Sequence, residues 1–458
     1  MALSIDRQTL LKYDVAGPRY TSYPTAPEWS NQFSRQLYVE KLHVFGLNDK
    51  TLSLYVHVPF CESLCYFCAC NKVIRPNEEK IGDEFLNYLF IELELIAQSI
   101  GKRKLIRQLH WGGGTPSYLS IDQMERLFNK IKTLFDIDAN EEIAMEVDPR
   151  TVSYEKLSAM RQLGFNRVSM GVQDFDDKVQ DDINRIQPFS QVANLYHACR
   201  ELGFSSINFD LIYGLPYQTR ETFKDTVDKV ISLKPDRIAL YSFAYVPWLS
   251  KPQNKFNLEA IAKHDEKLDI FIQSRENLLA HGYQAIAMDH FALANDEMAI
   301  AFNEGRLHRN FMGYTVKPAD EYIGIGPSAI GFIENTYIQN VKVLPEYYDI
   351  LSKGTLAVER GKESSIDDNI RRWVINQFMC HFSVNKDDAS KQFSINFDEY
   401  FAKEQQHIAQ CIDDGLLKAQ GQQLTVTDLG KIFIRNICMG FDWYLRQKDA
   451  HRRFSRTV

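Results

Sequence analysis

The chain has 458 residues, 45% of them hydrophobic and 25% charged, with a formal net charge of −7. That length exceeds one small core and fits two or three structural units. The mildly acidic balance lacks the basic face that nucleic-acid binding requires, so no nucleic-acid partner is expected.

Met1 to Asp14 carry Asp6, Arg7, Lys12 and Asp14 among apolar residues, which leaves no signal-peptide core. No run of about 18 apolar residues occurs, so no membrane span is expected, and a reduced cytoplasm is the expected compartment. Residues 1–45 read as an N-terminal strap centred on Gly17-Pro-Arg19-Tyr20-Thr-Ser-Tyr23-Pro-Thr25. Two prolines and two tyrosines so close together do not suit a helix interior. Either the tyrosines pack the segment onto the surface, or it covers an active-site mouth with Arg19 facing an anion.

From residue 50, short apolar or alternating runs recur: Leu52–Phe60, Leu105–Trp111, Glu142–Val147, Arg167–Gln173, Ile207–Tyr213 and Ile238–Tyr245. Helical patterns lie between them. Met124, Leu127, Phe128, Ile131 and Leu134 mark one apolar stripe, opened by a capping box of Ser120 and Gln123. Gly164-Phe165, Gly203-Phe204 and Gly282-Tyr283 each close a helix just before a strand, and the helix after Thr219 ends at Pro235. Strand alternating with helix six times predicts an α/β fold on a parallel sheet. Periodicity alone leaves an open doubly wound sheet possible beside a partial barrel.

In either architecture the chemistry sits beyond the carboxyl ends of the strands. The first strand leads into Cys61-Glu-Ser-Leu-Cys65-Tyr-Phe-Cys68-Ala-Cys70, which holds four of the eight cysteines. A zinc site usually takes four ligands in two separated pairs, and no second pair follows. Three thiolates can hold three irons of a [4Fe–4S] cluster and leave the fourth iron open. The second strand leads into Gly112-Gly113-Gly114-Thr115-Pro116, a close-approach backbone without the lysine of a phosphate loop. The next four end at Glu146-Val-Asp148-Pro149, at Gln173-Asp174, at Asp210 with Gly214-Leu-Pro216, and at Ala244-Tyr245. All of these converge on one face.

Residues 46–350 thus form the α/β unit with an extension, and its loop His308-Arg309-Asn310-Phe311 suits an anionic aromatic ligand. Residues 351–458 read as a mainly helical domain with a β-wing around Leu424. Cys199, Cys380, Cys411 and Cys438 are isolated on helical stretches and read as core residues.

Cys61-x3-Cys65-x2-Cys68, with Phe67 before the last cysteine, resembles the radical S-adenosylmethionine (SAM) signature. The strings PRYTSYPT, YVHVPFCESLCYFCACNK, HWGGGTPSYL, EVDPR, NRVSMGVQDF, NFDLIYGLP, MDHFA, LHRNFMGYT and RNICMGFDWYLRQK together resemble the oxygen-independent coproporphyrinogen III oxidase (dehydrogenase) family along nearly the whole chain. The resemblance implies a partial (β/α)6 barrel, a [4Fe–4S] cluster and SAM, two molecules per active site. It implies oxidative decarboxylation of two propionates of coproporphyrinogen III to the vinyl groups of protoporphyrinogen IX, with a reductant such as flavodoxin or ferredoxin, by a monomer.

Residue by residue, the resemblance assigns the cluster to Cys61, Cys65 and Cys68. It sets Tyr55, Gly113, Glu146 and Ile330 around the cluster-bound SAM. A second SAM maps to Phe67, Gly114, Thr115, Gln173, Arg185, Asp210 and Ala244. Arg19, His308 and Arg309 are candidates for the substrate propionates on charge alone. Ala69, Met312 and Tyr245 depart from the family pattern of glycine, glutamine and histidine. A haem-binding or haem-transfer protein on the same scaffold is the alternative reading, disfavoured by the presence of Cys70 and the strap.

Overall fold

A computed structural model describes residues 7–447 and 454–457. The first six residues of the expected strap, and residues 448–453 of the basic tail, lie outside the described residues.

The sheet begins with β1 (Leu52–Val58), followed by a short parallel pair, β2 (Phe60–Cys61) and β3 (Val73–Ile74), that brackets the cysteine loop. β4 (Leu105–Gly113), β5 (Asp136–Val147), β6 (Arg167–Gln173), β7 (Ser206–Tyr213) and β8 (Arg237–Ser242) come next, separated by helices. These five lie beside β1 in chain order and pair in parallel throughout. A hairpin of β9 (Tyr283–Ile286) and β10 (His290–Leu293) closes one edge, antiparallel to β8. The small hairpin of β11 (His308–Asn310) and β12 (Gly313–Thr315) stands apart. On the other side of β1 lie β13 (Glu321–Ile325), which is parallel to it, and then β14 (Ile330–Ile333), β15 (Thr336–Asn340) and β16 (Val358–Glu363), which are antiparallel.

The helices begin and stop on local chemistry. The capping box of Ser120 with Gln123 is present. Gly164 ends its helix at φ +110°, a left-handed conformation that side chains with a Cβ rarely adopt.

Alternation along the strands sorts the two faces. Val168, Met170 and Val172 are fully or almost fully buried against the helices, whereas Ser169 and Gly171 between them are partly open; Phe209 and Leu211 alternate in the same way with Asn208, Asp210 and Ile212. The open set faces the interior of the curved sheet. This alternation is what brings polar side chains from separate strands to one place.

Three boundaries differ from expectation. β5 starts at Asp136 rather than Glu142, because Asp136 and Ile137 pair with Leu105 and Ile106 before a register shift that leads on to the pairing of Glu142 with Gln108. β8 stops at Ser242, and the chain through Tyr245 turns out toward the cysteine loop. The expected boundary at 350/351 cuts through the sheet, since β16 pairs with β15. Its sequence, Val-Glu-Arg-Gly-Lys-Glu, is too polar to announce a strand.

The strap joins the parts. Leu10, Tyr13, Tyr20 and Tyr23 are buried in the same apolar cluster as Val374, Phe378 and Ile437 of the C-terminal helices. Trp29 stacks on Tyr337 of β15 with ring centroids 5.1 Å apart. Arg435 donates to the carbonyls of Gly17 and Pro18 in the strap and of Arg456 in the tail. No helix among the described residues is long and apolar enough to cross a membrane.

Candidate active site

The cysteine loop is clamped at both ends and along its length. Val73 N donates to Pro59 O (2.8 Å) and Arg75 N to Cys61 O (3.1 Å), closing the base. Outside β6, Tyr66 N reaches Ile183 O (3.0 Å), and Asn184 Nδ2 reaches Leu64 O (2.8 Å). Outside β8, Ser250 Oγ donates to Cys68 O (2.9 Å) and Gln253 Nε2 to Phe67 O (2.8 Å). The loop conformation is therefore set by segments far away in sequence.

Cys61, Cys65 and Cys68 line a cavity of about 300 Å³. Phe67, Gly113, Gly114, Thr115 and Glu146 line it too, as do Gln173, Arg185 and Asp210. Eight of the eleven expected cofactor residues thus meet there. Tyr55 stands behind this wall, stacked on His110 at 5.9 Å, and His110 Nε2 lies 3.2 Å from Glu146 Oε1. Ile330 begins β14, and its backbone lies against Gly324, which is in register with Tyr55. Ala244 offers its carbonyl to Gln253 (3.1 Å), next to the loop.

The sulfurs are provided with donors. Thr115 Oγ1 is 3.4 Å from Cys61 Sγ, Arg185 Nη1 is 3.5 Å from Cys65 Sγ, and Arg150 Nη2 is 3.6 Å from the same sulfur. All eight cysteines are free thiols. Among the described residues, no three His, Cys, Asp or Glu side chains converge on a point that would hold a single metal ion. Three thiols around one cavity, with N–H and O–H groups beside two of the sulfurs, fit the three-thiolate holding of an iron–sulfur cluster.

The triple glycine fits because nothing larger does. A Cβ on Gly113 would sit 2.5 Å from the His57 ring, and one on Gly114 2.5 Å from Pro59 O. Gly113 N donates to Glu146 Oε2 (3.1 Å) and Gly114 N to Val58 O (2.8 Å). Burial pushes the Glu146 carboxyl up, but His110 and the Gly113 N–H outweigh it and hold it below its ordinary value. Asp210 is pushed up to about 6 by burial, against hydrogen bonds from Ser169 and Asn208.

Asp148, Arg150, Ser169 and Tyr241 line the cavity as well and were not expected there. Ser169 follows from strand alternation with Gln173, and Asp148 and Arg150 from the strand-ending EVDPR string. Tyr241 carried no signal. Burial raises Asp148, yet Arg185 and Arg150 hold it at about 2.

Arg19 pairs with Asp289 and lies over the Tyr241 ring, 5.4 Å from its centroid. Arg309 is buried over Tyr314 (4.4 Å) and donates to Arg19 O (3.3 Å). His308 lines a cavity of about 240 Å³ beside Arg372 and Trp373, and another of about 180 Å³ that it shares with Arg309 and with Thr21 to Tyr23 of the strap. Met312 lines a deeper cavity that shares Glu146, Ser169, Asp210 and Tyr241 with the cysteine cavity.

Residues 55–230 match the Radical SAM superfamily and residues 365–433 the HemN C-terminal domain. The oxygen-independent coproporphyrinogen III oxidase of Escherichia coli (strain K12) is 42% identical over 453 residues, covering 99% of this chain and 98% of that protein. The protein of the same name from a Synechocystis strain is 41% identical over 455 residues, covering 98% and 97%. A solved structure of coproporphyrinogen III oxidase (HemN) from Escherichia coli, described as a radical SAM enzyme, matches with a TM-score of 0.91 at 41% identity, covering 97% of this chain and 100% of that one. With three thiols, a glycine cradle and two interior carboxylates around one cavity, and with relatives matched from end to end, this chain belongs to the oxygen-independent coproporphyrinogen III oxidase family of radical SAM enzymes.

Proposed function

We propose that the chain removes two propionate carboxyls of coproporphyrinogen III, leaving the vinyl groups of protoporphyrinogen IX, without oxygen. The observation that carries this reading is that Cys61, Cys65 and Cys68 line the same cavity as Gly113, Glu146 and Asp210. Cys61, Cys65 and Cys68 would hold the [4Fe–4S] cluster. With SAM bound, the cluster would supply the radical chemistry that takes a hydrogen from the propionate β-carbon; CO2 would then leave, and the remaining electron would pass to an external electron acceptor.

The chain supplies position and exclusion. Glu146, ionised at neutral pH, accepts from hydroxyl or ammonium groups beside Gly113, with Tyr55 and Ile330 forming the wall behind. Phe67, Gly114, Thr115, Gln173, Asp210 and Ala244 surround a second SAM, and Arg185 meets an anionic group there with the Nε that its partners Asp148 and Gly171 leave buried and unpartnered. Arg19 and Arg309 receive propionates at the Tyr241 rim. The strap and the clamped loop keep bulk water from the reacting centre. The enzyme works as a cytoplasmic monomer fed by a low-potential electron carrier of the flavodoxin or ferredoxin type.

An anaerobic assay with SAM, coproporphyrinogen III and a reductant tests this directly. Vinyl products together with methionine and 5′-deoxyadenosine are the expected outcome; iron-free protein, or bound haem with no methionine released, defeats the reading. Cys65→Ser is expected to lose the cluster and all 5′-deoxyadenosine, whereas Cys70→Ser keeps the cluster.

A further inference from the structure

At the carboxyl end of β5 the chain folds two guanidinium groups around one carboxylate. Asp148 accepts from its own turn, with Arg150 N 3.0 Å from Oδ1, and from the Arg150 side chain through Nε (3.0 Å) and Nη2 (2.7 Å). Arg185, brought in by the turn that follows the helix Asp177–Asp182, places Nη1 3.1 Å from Asp148 Oδ2 and Nη2 2.7 Å from Gly171 O. Both guanidiniums then present an N–H to Cys65 Sγ, at 3.6 Å from Arg150 and 3.5 Å from Arg185. Two positive charges and one negative charge therefore leave a net positive charge against one sulfur, in a largely buried setting where water screens it little.

We infer that Arg150, with Arg185 and balanced by Asp148, sets how readily the cluster is reduced. The inference rests on Cys65 being a cluster ligand. Reduction adds negative charge to the cluster and its sulfurs. A neighbouring cation and N–H···S hydrogen bonds favour that state, as charge, hydrogen bonding to sulfur and solvent exposure govern iron–sulfur potentials. Asp148 acts in the opposite sense, since its carboxylate cancels part of the field. A structural latch alone would need only one arginine on Asp148, and neither guanidinium would need to face the sulfur. Arg150 is a positioning and tuning residue in this scheme, because it acts on the sulfur and on no reacting atom.

The test compares Arg150→Gln, Arg150→Lys and Asp148→Asn in the full chain after anaerobic reconstitution, reading iron content and the midpoint potential by spectroscopically monitored redox titration. Loss of one charge-assisted donor is expected to make reduction of Arg150→Gln about tenfold harder, or ~59 mV for a one-electron couple. Arg150→Lys, which keeps the charge, is expected to fall between Arg150→Gln and the native chain, and Asp148→Asn to shift the other way. Opposite signs at two residues in one contact are not what a general loosening of the loop produces. Iron-replete Arg150→Gln or Asp148→Asn with the native potential overturns the inference while leaving the cluster reading intact. Loss of iron from all three variants assigns the trio a purely structural role and also overturns it. A native chain that takes up no iron overturns the cluster reading itself.

Discussion

Gln253 ties Phe67 to Ala244. Its Nε2 donates to both carbonyls, at 2.8 Å and 3.1 Å, while its Oε1 accepts from Val246 N at 2.6 Å. One fully buried amide thus joins the cysteine loop to the end of the sixth parallel strand.

Gln253→Ala strands a buried N–H, at about 1–3 kcal/mol, and removes the donor from two part-buried carbonyls. The expected outcome is a cysteine loop that opens locally before the barrel melts. Iron retention after desalting and hydrogen exchange over residues 61–72 measure this, and native retention with native protection would refute the role assigned to Gln253.

Gly113→Ala is expected to fail for two reasons at once. The backbone sits at φ +114°, and the added methyl would lie 2.5 Å from the His57 ring. Backbone strain of this kind costs about 1–3 kcal/mol before any clash is counted. Thermal unfolding of the purified variant reads the loss. A melting temperature equal to that of the native chain would mean that the cradle tolerates a side chain.

Glu92 makes stability depend on pH. Burial raises its carboxyl to about 7, against hydrogen bonds from Tyr347, Gly326 N and Asn340. A folded value above the unfolded one means that the folded state holds the extra proton between about 4.5 and 7. The stabilisation is complete below the unfolded value and is lost as pH rises through about 7, amounting to ~3 kcal/mol at most. Denaturant midpoints between pH 5 and 8 are expected to fall more steeply in the native chain than in Glu92→Gln. Parallel slopes would contradict this.

Arg19 and His308 are expected to part company in a kinetic assay. Arg19 lies over Tyr241, which lines the cysteine cavity, whereas His308 lines two other cavities and not that one. Arg19→Gln should raise KM for the porphyrinogen about tenfold, the scale of one charge-assisted pair, without altering iron content. His308→Ala should leave KM within about twofold, since it loses no such contact. A large effect of His308→Ala and none of Arg19→Gln would reverse the assignment of the rim.

The strap packs by its tyrosines: Tyr20 and Tyr23 lie in the C-terminal cluster, while Arg19 between Pro18 and Tyr20 is paired with Asp289 and lies over Tyr241. Asp148 and Arg150 were visible in EVDPR as a strand end, but the approach of Arg150 to Cys65 was not, since no spacing rule links positions 85 residues apart.

Local chemistry is what the amino-acid order determined by itself: the strands from their alternation, the helix ends at Gly164, Gly203 and Gly282, and the three thiols that share one loop. These depend on neighbours within a few residues, where backbone sterics and periodicity act directly. Only the tertiary structure decided which side chains meet: Gln253 with Phe67, Arg185 with Asp148, Arg19 with Tyr241, and β16 with β15. Such contacts follow from sheet register and helix packing, whose energies are summed over many distant residues, so no single stretch of the chain encodes them.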